Sequence, residues 1–530
     1  MTLPTALFMT VLSAGLLVLS IPNELMPLGS FSIGLIALAP LYLALLGNKG
    51  KSRAGLMGGL LMLLVHLGSS FWLAYFKEFA IFTLGASALG CFLIGVPAGF
   101  VFRSSIKIRR PLRPFLFAAA WTVWEWGKSI GFLAYPWGTV SMSAHRALIP
   151  AQIAEITGTW GISYLMALFS AVFAECVFSV ASGSIRNDLK RSAPLFKTLA
   201  FSAFLWGAAL CFGSYRLVAP RSPSGTLAVT LVQQNADSWA DGGAKKAMET
   251  SQRLTGESIA AAGKKPDLIV WSESTLPFPF AEYRNRFKRF PESYPFLDFL
   301  KDTDVPLLVG APMVVDEENW GLSNSAVLIS PEGVVTDWHA KVQLVPFAEY
   351  MPFTEYEWVR NFFDALVGFS RGWVPGTKIK SLVLHTENAG TVRFAAPICF
   401  EDAFSSLVAD FHNTGSNLLI NMTNDSWSKT DSAEYQHHAA ALFRAIELRT
   451  TLIRSTNAGY STVINAEGRI LADMPLFAEA AITVDAPLYQ NRTTFYARFG
   501  NWLPALLALA LIFVFIFVPE TRKRTVLLEK

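Results

Sequence analysis

Hydrophobic residues crowd into roughly the first 215 positions and recur at 502–518, while the stretch between has the mixed polarity of a globular domain. A helix rises about 1.5 Å per residue, so about 20 mostly apolar residues cross a hydrocarbon core about 30 Å thick. Eight runs fit that pattern: 3–21, 31–46, 55–75, 81–102, 115–132, 161–180, 199–213 and 502–518. The second is short, and the fifth is interrupted by Glu125 and Lys128. The first lacks a basic leading region and a small-x-small cleavage site, so it reads as a span rather than a signal peptide. The pattern predicts a polytopic α-helical membrane domain of about eight transmembrane helices.

Between about 221 and 490 the pattern shortens. Apolar runs at 227–233, 267–271, 306–310, 325–330, 392–398, 417–421 and 452–455 read as strands, several without alternation, which suits a sheet covered on both faces. Stretches 245–262 and 433–449 read as helices, giving a layered α/β domain with enough chain for one core. The expected division is 1–220 (seven spans), 221–490 (the soluble domain) and 491–530 (a final span and a basic tail).

Charge then orients the chain. Lys49, Lys51 and Arg53 follow the second run, and Arg103, Lys107, Arg109, Arg110 and Arg113 follow the fourth. Arg186, Lys190, Arg191 and Lys197 follow the sixth, and Arg522, Lys523, Arg524 and Lys530 follow the eighth. The alternate loops are poor in basic residues, with none in the first and Lys77 in the third. The positive-inside rule makes the basic loops cytoplasmic and the 221–490 domain extracytoplasmic. A net charge of +4, with no basic stripe interleaved with aromatics, gives no argument for a nucleic-acid partner.

Of four cysteines, Cys91, Cys176 and Cys211 lie in apolar runs, so Cys399 stands alone in the soluble part, with no disulfide partner there and no CxxC metal pattern. It directly follows the apolar run 394–398, just as Glu273 follows 268–271, and Lys341 lies in the segment WHAKVQLVPFAEY. Strand ends open into clefts, where α/β sheets place their chemistry. A lone cysteine after an apolar strand is either buried filler or a reactive thiol, and the residues alone leave both open. His437 and His438 are adjacent on a predicted helix and point to different faces, a poor metal pair, and no metal site is expected.

The segments WSES, KVQLVPFAEYMPF, PICFED and NMTNDSW resemble the motifs of the carbon–nitrogen hydrolase (nitrilase) superfamily. With spans on both sides, and with WEW at 124–126, YPWG at 135–138, GTWGIS at 158–163 and RSTNAG at 454–459, nearly the whole chain resembles the apolipoprotein N-acyltransferase family. That resemblance implies a nitrilase-like αββα sandwich and a triad. Cys399 is then the nucleophile, Glu273 the general base, and Lys341 the oxyanion stabiliser together with the N–H of Phe400. Glu349 and Glu401 match further acidic positions, expected to orient Lys341 and keep it protonated. Phe400 stands where many relatives carry tyrosine.

The resemblance also implies a phospholipid acyl donor of the phosphatidylethanolamine kind and a diacylglyceryl-apolipoprotein acceptor. It implies no cofactor, a monomeric enzyme, and a bacterial inner membrane with the catalytic domain on the periplasmic side. Within 347–373 lie Tyr350, Met351, Phe353, Trp358, Phe362, Phe363, Leu366, Phe369 and Trp373. These aromatics read either as lipid contacts on a mobile arm, chiefly Trp358, Phe362 and Phe363, or as core. Two other functions compete: a membrane-anchored nitrilase-type amidase that hydrolyses its thioester, and a membrane protein with an inert nitrilase-like domain.

Overall fold

A computed structural model describes the chain except for Lys49 and residues 183–188, 237–241, 368–371 and 519–530. Arg186 and the basic C-terminal tail therefore lie outside the described residues. The chain divides into two compact units, Met1–Phe71 with Leu84–Tyr215 and Asn501–Lys530, and Trp72–Thr83 with Arg216–Gly500.

Among the described residues, five helices are long and apolar enough to cross a membrane: Leu3–Ser20, Lys51–Ser69, Thr83–Ile106, Thr159–Ala181 and Ala193–Val218. Two shorter apolar stretches, Phe31–Gly47 and Trp502–Phe517, accompany them. The first of these is broken into Phe31–Ile36 and Ala39–Gly47, with Pro40 in the first turn of the second piece, where its missing N–H costs nothing. The run expected at 115–132 forms the 15-residue helix Arg113–Gly127. The run expected to continue to residue 75 stops at Ser69, and Phe71–Phe79 is a 3-10 helix.

Small residues bring two helices into backbone contact. A Cβ on Gly99 would lie 2.1 Å from the Ala54 carbonyl oxygen, and one on Gly58 would lie 2.3 Å from that of Gly95. Close approach of this kind replaces the hydrophobic drive that is missing between helices in lipid. Buried Glu175 is paired within the bundle: Tyr42 donates to it at 2.7 Å and Arg113 at 2.7 Å. Glu125 accepts from the Val140 N–H at 2.7 Å, and Lys128 donates to the Trp137 carbonyl, so both tie their helix to the stretch that follows. His66 meets the Ser87 hydroxyl at 2.7 Å.

The second unit is built on two six-stranded sheets. The first runs β12 (Ala480–Leu488), β1 (Gly225–Gln233), β2 (Leu268–Val270), β3 (Leu307–Asp316), β4 (Gly321–Ile329), β5 (Val335–Ala340). The second runs β11 (Ile470–Asp473), β10 (Thr462–Ile464), β9 (Thr451–Thr456), β8 (Leu418–Thr423), β7 (Gly390–Ala395), β6 (Leu382–Thr386). In each sheet three consecutive strands are parallel, β1–β2–β3 and β7–β8–β9, with antiparallel strands outside them.

Side chains that alternate along the strands of the first sheet divide between two cores. Leu227, Val229, Leu231 and Leu308 face Phe394, Leu418, Ile420 and Ile453 between the sheets. Leu307, Val309 and Trp271 point the other way, into a core shared with Met248 and Leu254 of helix Gly243–Ala262 and with Phe296 and Phe299 of Phe296–Thr303. Ser405–Asn413 and the almost wholly buried helix Asp431–Leu448 accompany the second sheet. The arrangement is an αββα sandwich. All seven expected strands are present, and β5, β6, β10, β11 and β12 are additions to the sequence reading.

Candidate active site

The three expected residues sit just beyond strand ends, Glu273 and Cys399 after the parallel-paired β2 and β7 and Lys341 after the antiparallel β5. Glu273 lies three residues after β2 and is 4% exposed. Its backbone passes so close to β3 that a Cβ on Gly310 would lie 2.5 Å from the Glu273 Cα and 2.4 Å from the Ser274 nitrogen, so only glycine fits there. Glu273 Oε1 accepts from Asn324 Nδ2 at 2.7 Å and lies 3.4 Å from Lys341 Nζ. Its Oε2 accepts from the Asn424 backbone N–H at 2.8 Å.

Lys341 follows β5 directly and is 1% exposed. Its N–H donates to the Asn324 carbonyl at 2.8 Å, and its ammonium donates to Glu349 Oε1 at 2.9 Å. Glu349 is fixed in turn by the Val345 N–H at 2.8 Å and by Asn324 Nδ2 at 3.2 Å. Burial alone would push the Lys341 ammonium down, but Glu349, Glu273 and Cys399 together hold it well above its ordinary value. Burial raises the Glu273 carboxyl, against the pull of Lys341, and Glu349 adds to the rise.

Cys399 opens the 3-10 turn Cys399–Ala403 with φ +51°, a left-handed conformation that a side chain rarely adopts. Two side chains pin that turn. Asn421, pointing off β8, donates to the carbonyls of Cys399 at 3.0 Å and Pro397 at 3.2 Å. Glu401 accepts the N–H of Ile398 at 2.7 Å through one oxygen, and those of Val342 at 2.7 Å and Gln343 at 3.0 Å through the other. The surrounding protein pushes the thiol well above its ordinary value; Glu273 adds to the rise and Lys341 opposes it. The resting sulfur is therefore a thiol.

Glu349 contacts Lys341 as expected. Glu401 does not: its oxygens are taken up by three backbone N–H groups, so it ties the Cys399 turn to the residues after Lys341 and reaches the ammonium only through the field. Phe400 is buried, with its ring 4.8 Å edge-on to Phe404. Asn324 and Asn421 were missed in the sequence, where an asparagine inside an apolar strand carries no signal of what it will face.

The aromatic stretch divides between the two readings. Met351 is 4% exposed, and Phe363 packs against Phe347 and Phe362 at 6.4 and 5.3 Å. Trp358 is 74% exposed and Phe362 53%, both on the helix Glu357–Val367. Phe369 lies outside the described residues. Trp72, from the segment after the Lys51–Ser69 helix, rests on Trp427 with ring centroids 5.6 Å apart.

Residues 13–172 match the family described as "Apolipoprotein N-acyltransferase N-terminal domain", and 228–494 match "Carbon-nitrogen hydrolase". The chain is 45% identical to apolipoprotein N-acyltransferase 2 of Treponema denticola, over 98% of both chains. It is 42% identical to the protein of that name in Treponema pallidum, over 94% of this chain and 92% of the relative. Against the apolipoprotein N-acyltransferase of Borreliella burgdorferi it is 32% identical, over 91% of this chain and 90% of the relative. This membrane-embedded chain, an acyltransferase of lipoprotein N-acylation, belongs to the apolipoprotein N-acyltransferase family.

Proposed function

We propose that the acyl group travels through a thioester on Cys399, from a phospholipid donor such as phosphatidylethanolamine to the N-terminal amine of an S-diacylglyceryl cysteine. The observation that carries this is the buried Glu273–Lys341–Glu349 group, with Lys341 Nζ 3.4 Å from Glu273 and 2.9 Å from Glu349, acting electrostatically on the Cys399 thiol. In the first half-reaction Glu273 takes the thiol proton as sulfur attacks the ester carbonyl. The oxyanion forms against the Lys341 ammonium and the N–H of Phe400, and its collapse expels lysophospholipid, whose alkoxide takes the proton from Glu273. In the second, the acceptor amine attacks the thioester, Glu273 takes the amine proton, and Cys399 leaves and is reprotonated.

A raised Glu273 carboxyl is a stronger base for this purpose, and a Lys341 held charged is always ready for the oxyanion. The exposed Trp358 and Phe362 are contacts for lipid, since apolar side chains of that size gain by leaving water. By the positive-inside pattern of the loops, the unit that carries Cys399 lies on the periplasmic face of the inner membrane.

Intact-mass measurement of the protein with phosphatidylethanolamine tests the scheme. One added acyl mass, labile to hydroxylamine and absent from Cys399→Ala, is expected; a diacylglyceryl-cysteine peptide then clears it and gains the acyl chain. Release of free fatty acid in place of acylated peptide makes the enzyme a hydrolase, and an adduct that survives in Cys399→Ala refutes the nucleophile.

A further inference from the structure

A second cluster of charges lies behind the nucleophile turn, and the two half-reactions make no use of it. His437, on the helix Asp431–Leu448, is 4% exposed. Its Nε2 is 3.0 Å from Asp402 Oδ1 and its Nδ1 is 3.1 Å from Asp425 Oδ1. Arg454, fully buried on β9, donates to Asp402 and lies 3.5 Å from Asp425 Oδ2. Two cations thus alternate with two carboxylates in a closed ring, and each imidazole nitrogen must carry a hydrogen to face its carboxylate.

The two acids belong to the two segments that build the site. Asp402 shares the turn of Cys399, and Asp425 follows Asn424, whose N–H holds Glu273 at 2.8 Å. Buried ions of this kind seldom add net stability over a well-packed apolar core, because desolvation offsets their attraction. What they do supply is a fixed spacing between the segments they join.

We propose that His437 is a positioning residue for acyl transfer, holding the Cys399 turn against the Asn424 loop and so the sulfur against Glu273. This rests on the thioester reading above. The charged groups acting on the imidazole are Asp425 from the loop, Asp402 from the turn and Arg454 from β9, while Glu434, on the same helix, acts on Asp425. Burial and Asp425 hold the Glu434 carboxyl well above its usual range, so Glu434 is a neutral member. Burial would push His437 down, but Asp425 and Asp402 bring it up to about 9. The cation is therefore present in full below the ordinary histidine value of 6.5 and is lost as pH rises through about 9. Ionisation of Cys399 acts in the opposite sense, since more thiolate speeds attack, and Lys341 keeps its proton through this window.

The test is single-turnover thioester formation by the full-length protein in mixed micelles of detergent and phosphatidylethanolamine. In the wild-type protein the rate constant is expected to fall severalfold, roughly fivefold, between about pH 8 and pH 10; a rate that is flat or still rising at pH 10 overturns the proposal. His437→Gln is expected to lower kcat at neutral pH on the order of tenfold, with KM for the phospholipid unchanged and the alkaline fall gone. A folded His437→Gln protein with wild-type rate and profile also overturns it, and if that variant fails to fold, the wild-type profile decides. A wild-type protein that forms no adduct, beside a Cys399→Ala control, refutes the thioester reading and this proposal together, whereas an adduct with a flat profile refutes the positioning role alone.

Discussion

The acid–base balance of the site rests on a few buried side chains whose charges correct one another. Lys341 sits between Glu349 at 2.9 Å and Glu273 at 3.4 Å, and Glu349 acts most strongly of the neighbours that keep the ammonium charged, which in the proposed scheme leaves Glu273 to take up a proton. Replacing Glu349 by Gln leaves that task to Glu273 and binds the base more tightly to Lys341. Thioester formation is expected to slow by about 10- to 100-fold, in the range seen when one oxyanion-stabilising group is impaired. Rapid-quench mass spectrometry measures it, and a rate within twofold of wild type would remove Glu349 from the mechanism. Glu401 works differently, because its three N–H partners belong to the backbone on both sides of the site. Glutamine in its place has one acceptor and one donor where two acceptors are needed. A loss of about 1–3 kcal/mol in stability is expected, seen as a lower melting temperature together with the lower rate.

Among the secondary elements, the strand ends set the spacing. β2 and β3 run parallel, and the chain leaving β2 crosses β3 at Gly310, with no room for a methyl group. Gly310→Ala is expected to displace Glu273 and remove most activity, because a misplacement of about 1 Å in a catalytic group can cost 10²-fold. A melting curve recorded beside the rate separates displacement from unfolding, and a fully active Gly310→Ala enzyme would show that β3 yields at this point. The helix Glu357–Val367 leaves Trp358 and Phe362 exposed and packs its partly buried Phe363 on Phe347 and Phe362. Alanine at both Trp358 and Phe362 is expected to leave the melting temperature unchanged, since neither is buried, and to lower turnover of phospholipid. Unchanged phospholipid turnover would rule out lipid contact.

Over the whole molecule the two units follow different physics. In the first, apolar residues face outward on long helices, small residues let backbones touch, and the buried Glu175 is met by Tyr42 and Arg113. In the second, apolar residues fill two layers, and polar residues gather at the strand ends and behind the Cys399 turn. A short segment, Trp72–Thr83, comes from between two membrane helices yet packs with the second unit, through Trp72 on Trp427. Its ring covers a residue two positions beyond Asp425, so Trp72→Ala is expected to lower the thioester rate while the membrane helices keep their circular-dichroism signal. A wild-type rate in that variant would make the contact incidental.

The amino-acid sequence already carried the apolar runs, the alternation of strands and helices, and the order of Glu273, Lys341 and Cys399 along the chain. These are local properties, since a run of about 20 apolar residues or a strand buried on both faces leaves its mark on neighbouring positions. The lengths of the helices were less legible: the expected third run ends at Ser69, and the fifth is the 15-residue helix ending at Gly127, where Glu125 and Lys128 bond to Val140 and Trp137 beyond it. The strands β5, β6, β10, β11 and β12 were not legible, since short or half-exposed strands such as β11 take their form from a neighbour's hydrogen bonds. Contacts between distant positions left no local trace. Asn324 on two glutamates, Glu401 on three backbone N–H groups, and His437 between Asp402 and Asp425 exist only because folding brings remote strand ends together in a buried place, where an unpaired charge or N–H would be too costly to leave.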